Sequence, residues 1–470
     1  MGDMQRSQTI STQNQGKATG GNRKPVQMQT GEGRSGNLPV LRQESSLQEI
    51  RRLAKANPDM VFTSLAHRID PYQLEESFKA IRKSQASGVD EVTAKEYAVN
   101  LDANLYDLHK RLSSGQYVAQ SVRRVWIDKE GGKKRPIGIL ALEDKIVQKA
   151  VERILNIVFE VNFYDFSYGF RSGYSAHMAI REIRQACMGM NINWIVDADV
   201  SGYFDNIEHA LLKEFVKRRV NDGGIIRLIG KWLNAGVMEK GIVSYAETGT
   251  PQGGVISPVL ANIFLHYVLD EWFMKEVRPR MTERCFLVRY ADDFIVGFER
   301  ESDARRFMAV LPKRFERYKL TIHPEKTKLV DFRKPVKSSK GTQGGTFNFL
   351  GFTHYWGKSR KGWLVVKRKT MSKRASGFLK RVWLWCCTER HKPVREQYQE
   401  LSQKLRGHYQ YYGVNGNFRS MKKVRWRCEW IWRYWLSRRS NKGGLCWDKF
   451  KGSILSKMEL PRVRIVHGDV

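Results

Sequence analysis

The chain is predicted to be α+β, with a mixed α/β centre between two helical flanks. Three observations carry this. Apolar residues recur three and four positions apart through residues 47–84 and again from Thr370 onward, the spacing that lines one face of a helix. In the middle, short apolar runs bounded by turn residues read as strands, as in WIVDADV and FLVRYADDFIVGF. Those strands alternate with helical stretches, so a sheet and the helices covering it come from one continuous region.

Taken in order, residues 1 to about 45 are rich in Gly, Gln, Ser, Thr, Asn and basic residues, the composition of a disordered basic arm. LQEIRRLAKANPDMVFTSL and PYQLEESFKAIRKS follow as helices punctuated by Pro58 and Pro71. SGVDEVT turns into a further helix, TAKEYAVNLDANLYDLHKRLSSG. VRRVWID and RPIGIL flank the turn KEGGKK as a basic hairpin, and the helix LEDKIVQKAVERILNIVF comes next. After the strand WIVDADV stand helices HALLKEFVKRRV and IIRLIGKWLNAGV. In SPVLANIFLHYVLDEWFM, Ser257 is placed to cap a helix with Pro258 at its first position. FLVRYADDFIVGF reads as two strands around a tight turn. Helix DARRFMAVLPKRFERY, strands LTIH and KLVDF, a Gly/Ser/Lys linker at 334–345 and the strand FNFLGFTHYW precede the helical, Trp-rich remainder. There is no internal repeat.

With 470 residues and 41% hydrophobic ones, the chain can bury a sizeable core over several domains. No run of eighteen apolar residues occurs, so no membrane span is expected. The first residues have no apolar core and do not read as a secretory signal; Met-Gly before an acidic third residue is a poor acylation site. Six cysteines without C-x-x-C spacing argue against a disulfide framework or zinc knuckle and for a reducing, cytoplasmic setting. The net charge of +34 is uneven. From His354 to the end there are 29 Lys+Arg against 7 Asp+Glu, together with nine of the thirteen tryptophans. Cations interleaved with planar rings suit a polyanion carrying stackable bases; the plainer reading is a solvated basic face over an aromatic core.

Asp199 ends the strand WIVDADV, and Asp292 and Asp293 occupy the turn of FLVRYADDFIVGF. Apolar strands flank each site, so the carboxylates stand at rigid strand ends. Like charges gathered at a sheet edge need cations. Two Mg2+ ions roughly 4 Å apart would neutralise them and support in-line phosphoryl transfer, activating a primer 3′-hydroxyl and gripping a triphosphate.

The blocks KKRPIGILALEDKIVQKAV, FYDFSYGFRSGYSAH, DADVSGYFD, GTPQGGVISPVLANIFL, RYADDFIVGF, HPEKTKL and FNFLGF stand in the order found in reverse transcriptases. More narrowly, over residues 50 to about 445, the chain resembles the bacterial group II intron reverse transcriptase/maturases. The resemblance implies a right-hand polymerase: fingers and a palm with an antiparallel sheet over 46–353, then an α-helical thumb/maturase-specific region resembling domain X at 354–445. A short basic tail would occupy 446–470. Many relatives end in an HNH nuclease with paired cysteines; only Cys428 and Cys446 stand near this C-terminus, so the endonuclease-lacking type is expected, with its primer made elsewhere.

The implied function is RNA-templated DNA synthesis, with binding of group II intron RNA to assist splicing and mobility. The implied partners are that RNA, an RNA template with a DNA primer, dNTPs and a DNA target. Asp199 and Asp292 would hold both metals, assisted by the Val200 carbonyl, with Asp293 completing the cluster. Phe204 would exclude a 2′-hydroxyl by bulk, with Tyr203 as the alternative gate. Gln252 would line the nascent base pair, with Gly253 and Gly254 admitting the template. Lys133, Lys134 and Arg135 would face the triphosphate, Arg135 foremost because its fork fits phosphate, and Lys326 would stand as an acid near the pyrophosphate. Arg171 would support palm or template. FNFLGF would pack between palm and thumb, with a primer-grip role open. In LSQKLRGHYQYYGVNGNFRSMKKV, which resembles the maturase helix except for His408 where that family has an aromatic, Arg406, His408, Tyr409, Tyr411 and Tyr412 are candidate RNA contacts. Lys422, Lys423, Arg425 and Arg427 join them, whereas most of Trp426, Trp430, Trp432 and Trp435 belong to the core. Two alternatives remain: an RNA-binding splicing factor with a decayed polymerase, or a related enzyme recruited to host defence.

Overall fold

A computed structural model describes residues 38–82, 86–128, 134–239, 242–244, 248–249, 253–335, 344–440 and 444–468, with side chains from residue 47 onward. Helix α1 (Leu38–Ala56) begins inside the stretch expected to be disordered; residues 1–37 lie outside the described residues. Helix α2 (Pro71–Ala80) starts on Asp70, whose carboxylate accepts the Gln73 N–H at 2.8 Å. Helix α3 (Ala94–Tyr97) opens in a Thr93/Glu96 capping box and leads through one tight turn into α4 (Leu101–Ser113). Strands β1 (Val122–Asp128) and β2 (Lys134–Ile139) form the expected basic hairpin, with Asp128 opposite Lys134. Helix α5 (Leu142–Phe159) then buries most of its length, and α6 (Ala176–Gly189) is capped by Ser175.

The centre of the molecule continues with β3 (Trp194–Ala198), β4 (Val200–Ser201), α7 (His209–Lys217) and α8 (Gly223–Leu233). The short hairpin β5 (Val237–Glu239) and β6 (Ile242–Ser244) extends the first hairpin into a four-stranded sheet; it lacks the length and alternation that betray a strand and was not expected. Helix α9 (Ser257–Leu265) continues through two wide turns to Val277. Ser257 is its first helical residue rather than its cap, and the Ile256 N–H is taken instead by the Gln148 side chain of α5 at 3.3 Å. Strands β7 (Cys285–Tyr290) and β8 (Asp293–Phe298), helix α10 (Glu301–Glu316), and strands β9 (Thr321–Ile322) and β10 (Lys328–Asp331) complete this part.

The central sheet has the order β10–β3–β8–β7, every pair antiparallel. Both its faces are covered, which is why its strands read as near-continuous apolar runs. Val196, Ala198, Phe294 and Val296 pack on one face with Leu155 of α5, Phe215 of α7, Ile263 of α9 and Phe307 of α10. Ile195, Val288 and Ile295 pack on the other with Ile180 and Ile183 of α6. A second layer on that face comes from the sheet of β11 (Phe347–Phe349), β12 (Phe352–Lys358) and β13 (Leu364–Thr370), through Phe347, Phe349 and Phe352. Because β12 crosses residues 353 and 354 and pairs with β13, the boundary expected at 353/354 cuts a sheet; the helical part begins later.

That part is α11 (Ser372–Thr388), α12 (Val394–Tyr412) and α13 (Phe418–Ser437), gathered around Leu401, Leu405, Val424 and the fully buried Trp432. A short helix α14 (Trp447–Lys449) follows. The terminal segment, expected as a short basic tail, also contributes to the core. Phe450 and Leu460 are buried in the helical core, and the Gly413 carbonyl accepts the N–H groups of Val466 and His467 at 2.7 and 2.8 Å. All six cysteines are free, and among the described residues no helix is long and apolar enough to cross a membrane.

Burial holds three histidines neutral: His266 and His354 are pushed down to about 3 and His408 to about 4, from an ordinary 6.5. Below pH 6.5 the unfolded chain takes up protons that the folded chain refuses, so stability is full above that pH and falls as pH drops toward 4. Each histidine contributes at most about 1.4 kcal/mol per pH unit. His354 stacks on Phe347 with centroids 4.8 Å apart, so His354→Phe keeps the packing and removes one titration. The melting temperature of this variant should fall less steeply than wild type between pH 6.5 and 4.5; identical slopes would contradict the assignment.

Candidate active site

Strand β3 stops at Ala198 and β4 begins at Val200, so Asp199 stands at the break between them. Its backbone is held from outside the sheet. The Asp199 carbonyl accepts the His323 N–H at 2.8 Å, and its own N–H points to the Thr327 hydroxyl at 3.5 Å. The segment HPEKT therefore wraps the aspartate, and it brings Lys326 Nζ to 2.6 Å from Asp199 Oδ2.

The register pairs Ala198 with Phe294, so β8 begins with Asp293 beside Asp199 at the same end of the sheet. Strands β7 and β8 join through Ala291 and Asp292, with Tyr290 opposite Asp293. Ala291 has φ +56°, a left-handed conformation that costs a residue with a side chain about 1–2 kcal/mol. Gly169 of the FYDFSYGF loop lies against this turn so closely that a Cβ there would fall 2.3 Å from the Ala291 nitrogen. Burial raises the Asp292 carboxyl, reinforced by the charge of Asp199 and opposed by Arg135 and Arg289. Asp293 is pushed up to about 7 by burial and then by Asp197, Asp292 and Asp199, while the Leu350 N–H donates to its carboxylate. Leu350 and Gly351 both have positive φ, +49° and +80°, as a two-residue turn between β11 and β12 requires. FNFLGF thus touches the acidic site directly as well as packing between layers.

Asp197 was not singled out from the sequence. It lies on β3 opposite Ile295 and is pushed up to about 7 by burial and then by Asp199, with Lys328 opposing. A second Asp two residues before the first, on the same side of a strand, was the signal for it.

Among the other candidates, Lys134 and Arg135 are exposed at the start of β2, and the Arg135 charge reaches Asp292. Lys133 and Gln252 lie outside the described residues. Gly253 has φ +110°, and a Cβ there would come 2.4 Å from the Gly138 carbonyl, so the close approach at this glycine is made by β2 of the basic hairpin. Tyr203 is buried, and its hydroxyl donates to the Ala261 carbonyl of α9 at 2.6 Å, which removes it as a gate. Phe204 is half-buried and meets Tyr203 edge-on at 5.3 Å. Lys326 sits on Asp199 rather than apart from it. Arg171 is structural: it ion-pairs with Glu160 at 2.8 Å, bonds the Tyr164 and Ser167 carbonyls at 2.7 and 2.6 Å, and covers Tyr174.

In the helical region, Arg406, Lys422, Lys423 and Arg427 are exposed, and Arg427 lies over the exposed Trp426. Arg425 is half-buried and paired with Glu429 and Glu459 at 3.2 and 3.4 Å. His408 and Tyr409 correct the expectation of RNA contact: both are buried, His408 between Phe378 and Tyr412, because the helix face that carries them is the one its neighbours cover. Tyr411 is likewise engaged, its hydroxyl donating to the Leu350 carbonyl at 2.9 Å. A cavity of about 370 Å³ lies between this region and the acidic site, lined by Asp293, Gly351, Arg374, Arg381, His408 and Tyr412.

Among the described residues no three His, Cys, Asp or Glu side chains form a ready-made metal cage. Asp199, Asp292 and Asp293 do lie close enough to feel one another's charge, and each offers carboxylate oxygens. That set fits magnesium, which takes one or two carboxylates and completes its shell with water and substrate phosphate. The raised carboxyls and the ammonium of Lys326 on Asp199 both mark a site short of positive charge.

Residues 127–354 match the family model of the reverse transcriptase (RNA-dependent DNA polymerase), a family that works with divalent metals. This region is a reverse transcriptase domain. The chain is similar to intron-encoded proteins: it is 36% identical over 234 residues to the group II intron-encoded protein LtrA of Lactococcus lactis subsp. cremoris, covering 49% of this chain and 38% of that protein. It is 41% identical over 182 residues to protein YkfC of Escherichia coli K12, covering 38% and 48% respectively. An uncharacterized 91 kDa protein in the cob intron of Schizosaccharomyces pombe is 39% identical over 161 residues, covering 34% and 20%. The chain thus spans at most about half the length of these relatives.

The Tyr203 hydrogen bond fixes the segment that follows Asp199. Tyr203→Phe removes this buried bond to the Ala261 carbonyl and should cost about 1 kcal/mol, seen as a lowered denaturation midpoint. An unchanged midpoint would mean the bond does not hold this segment.

Proposed function

We propose that this chain is an RNA-directed DNA polymerase that also binds group II intron RNA to assist its splicing and mobility. The observation that carries the reading is the meeting of Asp199 with Asp292 and Asp293 at one end of an apolar sheet, facing a basic hairpin. Two magnesium ions would be held by Asp199 and Asp292 with the Val200 carbonyl, and Asp293 would complete the charge of the cluster. When bound, they supply Lewis-acid activation of a primer 3′-hydroxyl and neutralise the triphosphate. Arg135, with Lys134 and Lys133, faces the triphosphate of an incoming dNTP; Phe204 blocks a 2′-hydroxyl; Gln252 lines the base pair. Lys326 holds Asp199 in the absence of metal and, once displaced, donates a proton toward the leaving pyrophosphate. The helices from Ser372 onward form the thumb and maturase region, with intron RNA meeting Arg406, Lys422, Lys423 and Arg427. The homology to an intron-encoded reverse transcriptase supports the choice of RNA. The cell location that goes with these partners is the cytoplasm, on nucleic acid.

Given an RNA template, an annealed DNA primer, dNTPs and Mg2+, the protein should extend the primer, and Asp292→Asn should lower the rate by several orders of magnitude. Wild-type extension by that variant would sink the reading. Phe204→Ala should admit ribonucleotides while leaving dNTP use largely intact; unchanged sugar choice would show that another residue is the gate. Neutralising Lys422, Lys423 and Arg427 together should weaken intron RNA binding and flatten its log–log salt dependence by about 0.7–0.9 per lost phosphate contact. An unchanged slope in filter binding would move the RNA site elsewhere.

A further inference from the structure

Arg289 is a charged residue, the last but one of the apolar strand β7, and it is completely buried. Its guanidinium makes a two-point ion pair with Asp270, itself fully buried, through Nε–Oδ1 at 2.8 Å and Nη2–Oδ2 at 2.5 Å. The remaining nitrogen, Nη1, donates in two directions. One bond goes to Asn262 Oδ1 of α9 at 2.9 Å, and the other to the carbonyl of Ala291 at 3.1 Å. Ala291 is the left-handed residue of the turn that presents Asp292 and Asp293. Asn262 in turn donates to the Gly169 carbonyl at 2.7 Å, and Gly169 is the residue pressed against the Ala291 nitrogen. The strand is gripped on its backbone as well: the Arg289 N–H donates to the Phe166 carbonyl, and the Arg289 carbonyl accepts from Tyr168, both at 2.8 Å.

One helical turn therefore anchors both acidic segments. The Ala261 carbonyl takes the Tyr203 hydroxyl, four residues after Asp199, and the adjacent Asn262 takes Arg289, three residues before Asp292. A lysine in place of Arg289 has neither the fork nor the reach to serve Asp270, Asn262 and Ala291 together.

We propose, on the polymerase reading given above, that Arg289 is a positioning residue for the metal site: paired to Asp270, it clamps the Ala291 carbonyl and Asn262 and so fixes the turn that holds Asp292 and Asp293 opposite Asp199. A residue that only stabilised the core would be replaceable by an apolar pair of similar volume without effect on metal binding, since such replacement of buried ion pairs is often neutral for stability.

The test is the double variant Arg289→Met/Asp270→Leu in the full chain. Mn2+ binding is followed by electron paramagnetic resonance with primer–template bound, beside the Mg2+ dependence of primer extension and the melting temperature. The expected result is a near-wild-type melting temperature, weaker Mn2+ binding and an extension rate down by about 10²-fold, the scale of a misplacement near 1 Å. Adding Ala291→Gly, which adopts the left-handed turn without strain, should restore part of the Mn2+ affinity. Wild-type Mn2+ binding in a folded double variant overturns the proposal, as does a loss that Ala291→Gly leaves wholly unrepaired. Should the double variant fail to fold, Asn262→Leu decides in the same way, because it leaves the ion pair intact: weakened Mn2+ binding supports the clamp and unchanged binding overturns it. If wild type extends no primer, the polymerase reading fails while the Mn2+ titration still judges the clamp.

Discussion

Mutual repulsion among carboxylates is the constraint around which this molecule is arranged. Asp197, Asp199, Asp292 and Asp293 share one end of the central sheet; Asp199 is half-exposed, and burial leaves the charges of the other three poorly screened. Two such charges 4 Å apart repel by about 4 kcal/mol at an effective dielectric constant near 20. The surroundings answer with cations and donors drawn from distant parts of the sequence: Lys326 from the segment before β10, Arg135 from the basic hairpin, and the Leu350 N–H from the turn between β11 and β12. What those groups leave uncompensated is negative charge, which would draw a divalent cation to this end of the sheet.

The sheet can bear this because both its faces are packed. Helices α5, α7, α9 and α10 cover one side, and α6 with the β11–β13 sheet covers the other, so the strand ends have little freedom to splay apart under repulsion. The second layer also joins the site to the helical region. Tyr411 of α12 donates to the Leu350 carbonyl, while the Leu350 N–H reaches Asp293. A single residue in a left-handed turn therefore stands between a helix that bears exposed cations and a carboxylate of the site.

Much of this was legible in the sequence where local chemistry dominates. FLVRYADDFIVGF reads as a hairpin because two near-continuous apolar runs and the two-residue turn between them are all local, and Asp199 reads as a strand end for the same reason. What escaped depends on tertiary context. Arg289 looks like an ordinary cation until Asp270 is found beside it, 19 residues earlier in the sequence. The signal was present as two opposite charges, each inside an apolar run, a pattern that soluble cores tolerate only when the charges meet. His408 and Tyr409 misled because aromatic and basic residues alternate along α12, and periodicity alone does not say which face the neighbours cover. The terminal segment misled by its charge: Trp447, Phe450, Ile454 and Met458 recur at helical spacing, but the cations between them drew the reading toward a tail.

The central question for this molecule is whether the acidic sheet end works through metal. The direct measurement is single-nucleotide addition to a primer on an RNA template by rapid quench, as a function of free Mg2+ under saturating dNTP. With two ions at work, the rate should rise more steeply than in proportion to metal at low concentration, approaching second order, before it saturates. A rate that is already maximal without added divalent metal, or that never exceeds first order in it, would contradict a site in which these carboxylates bind two ions.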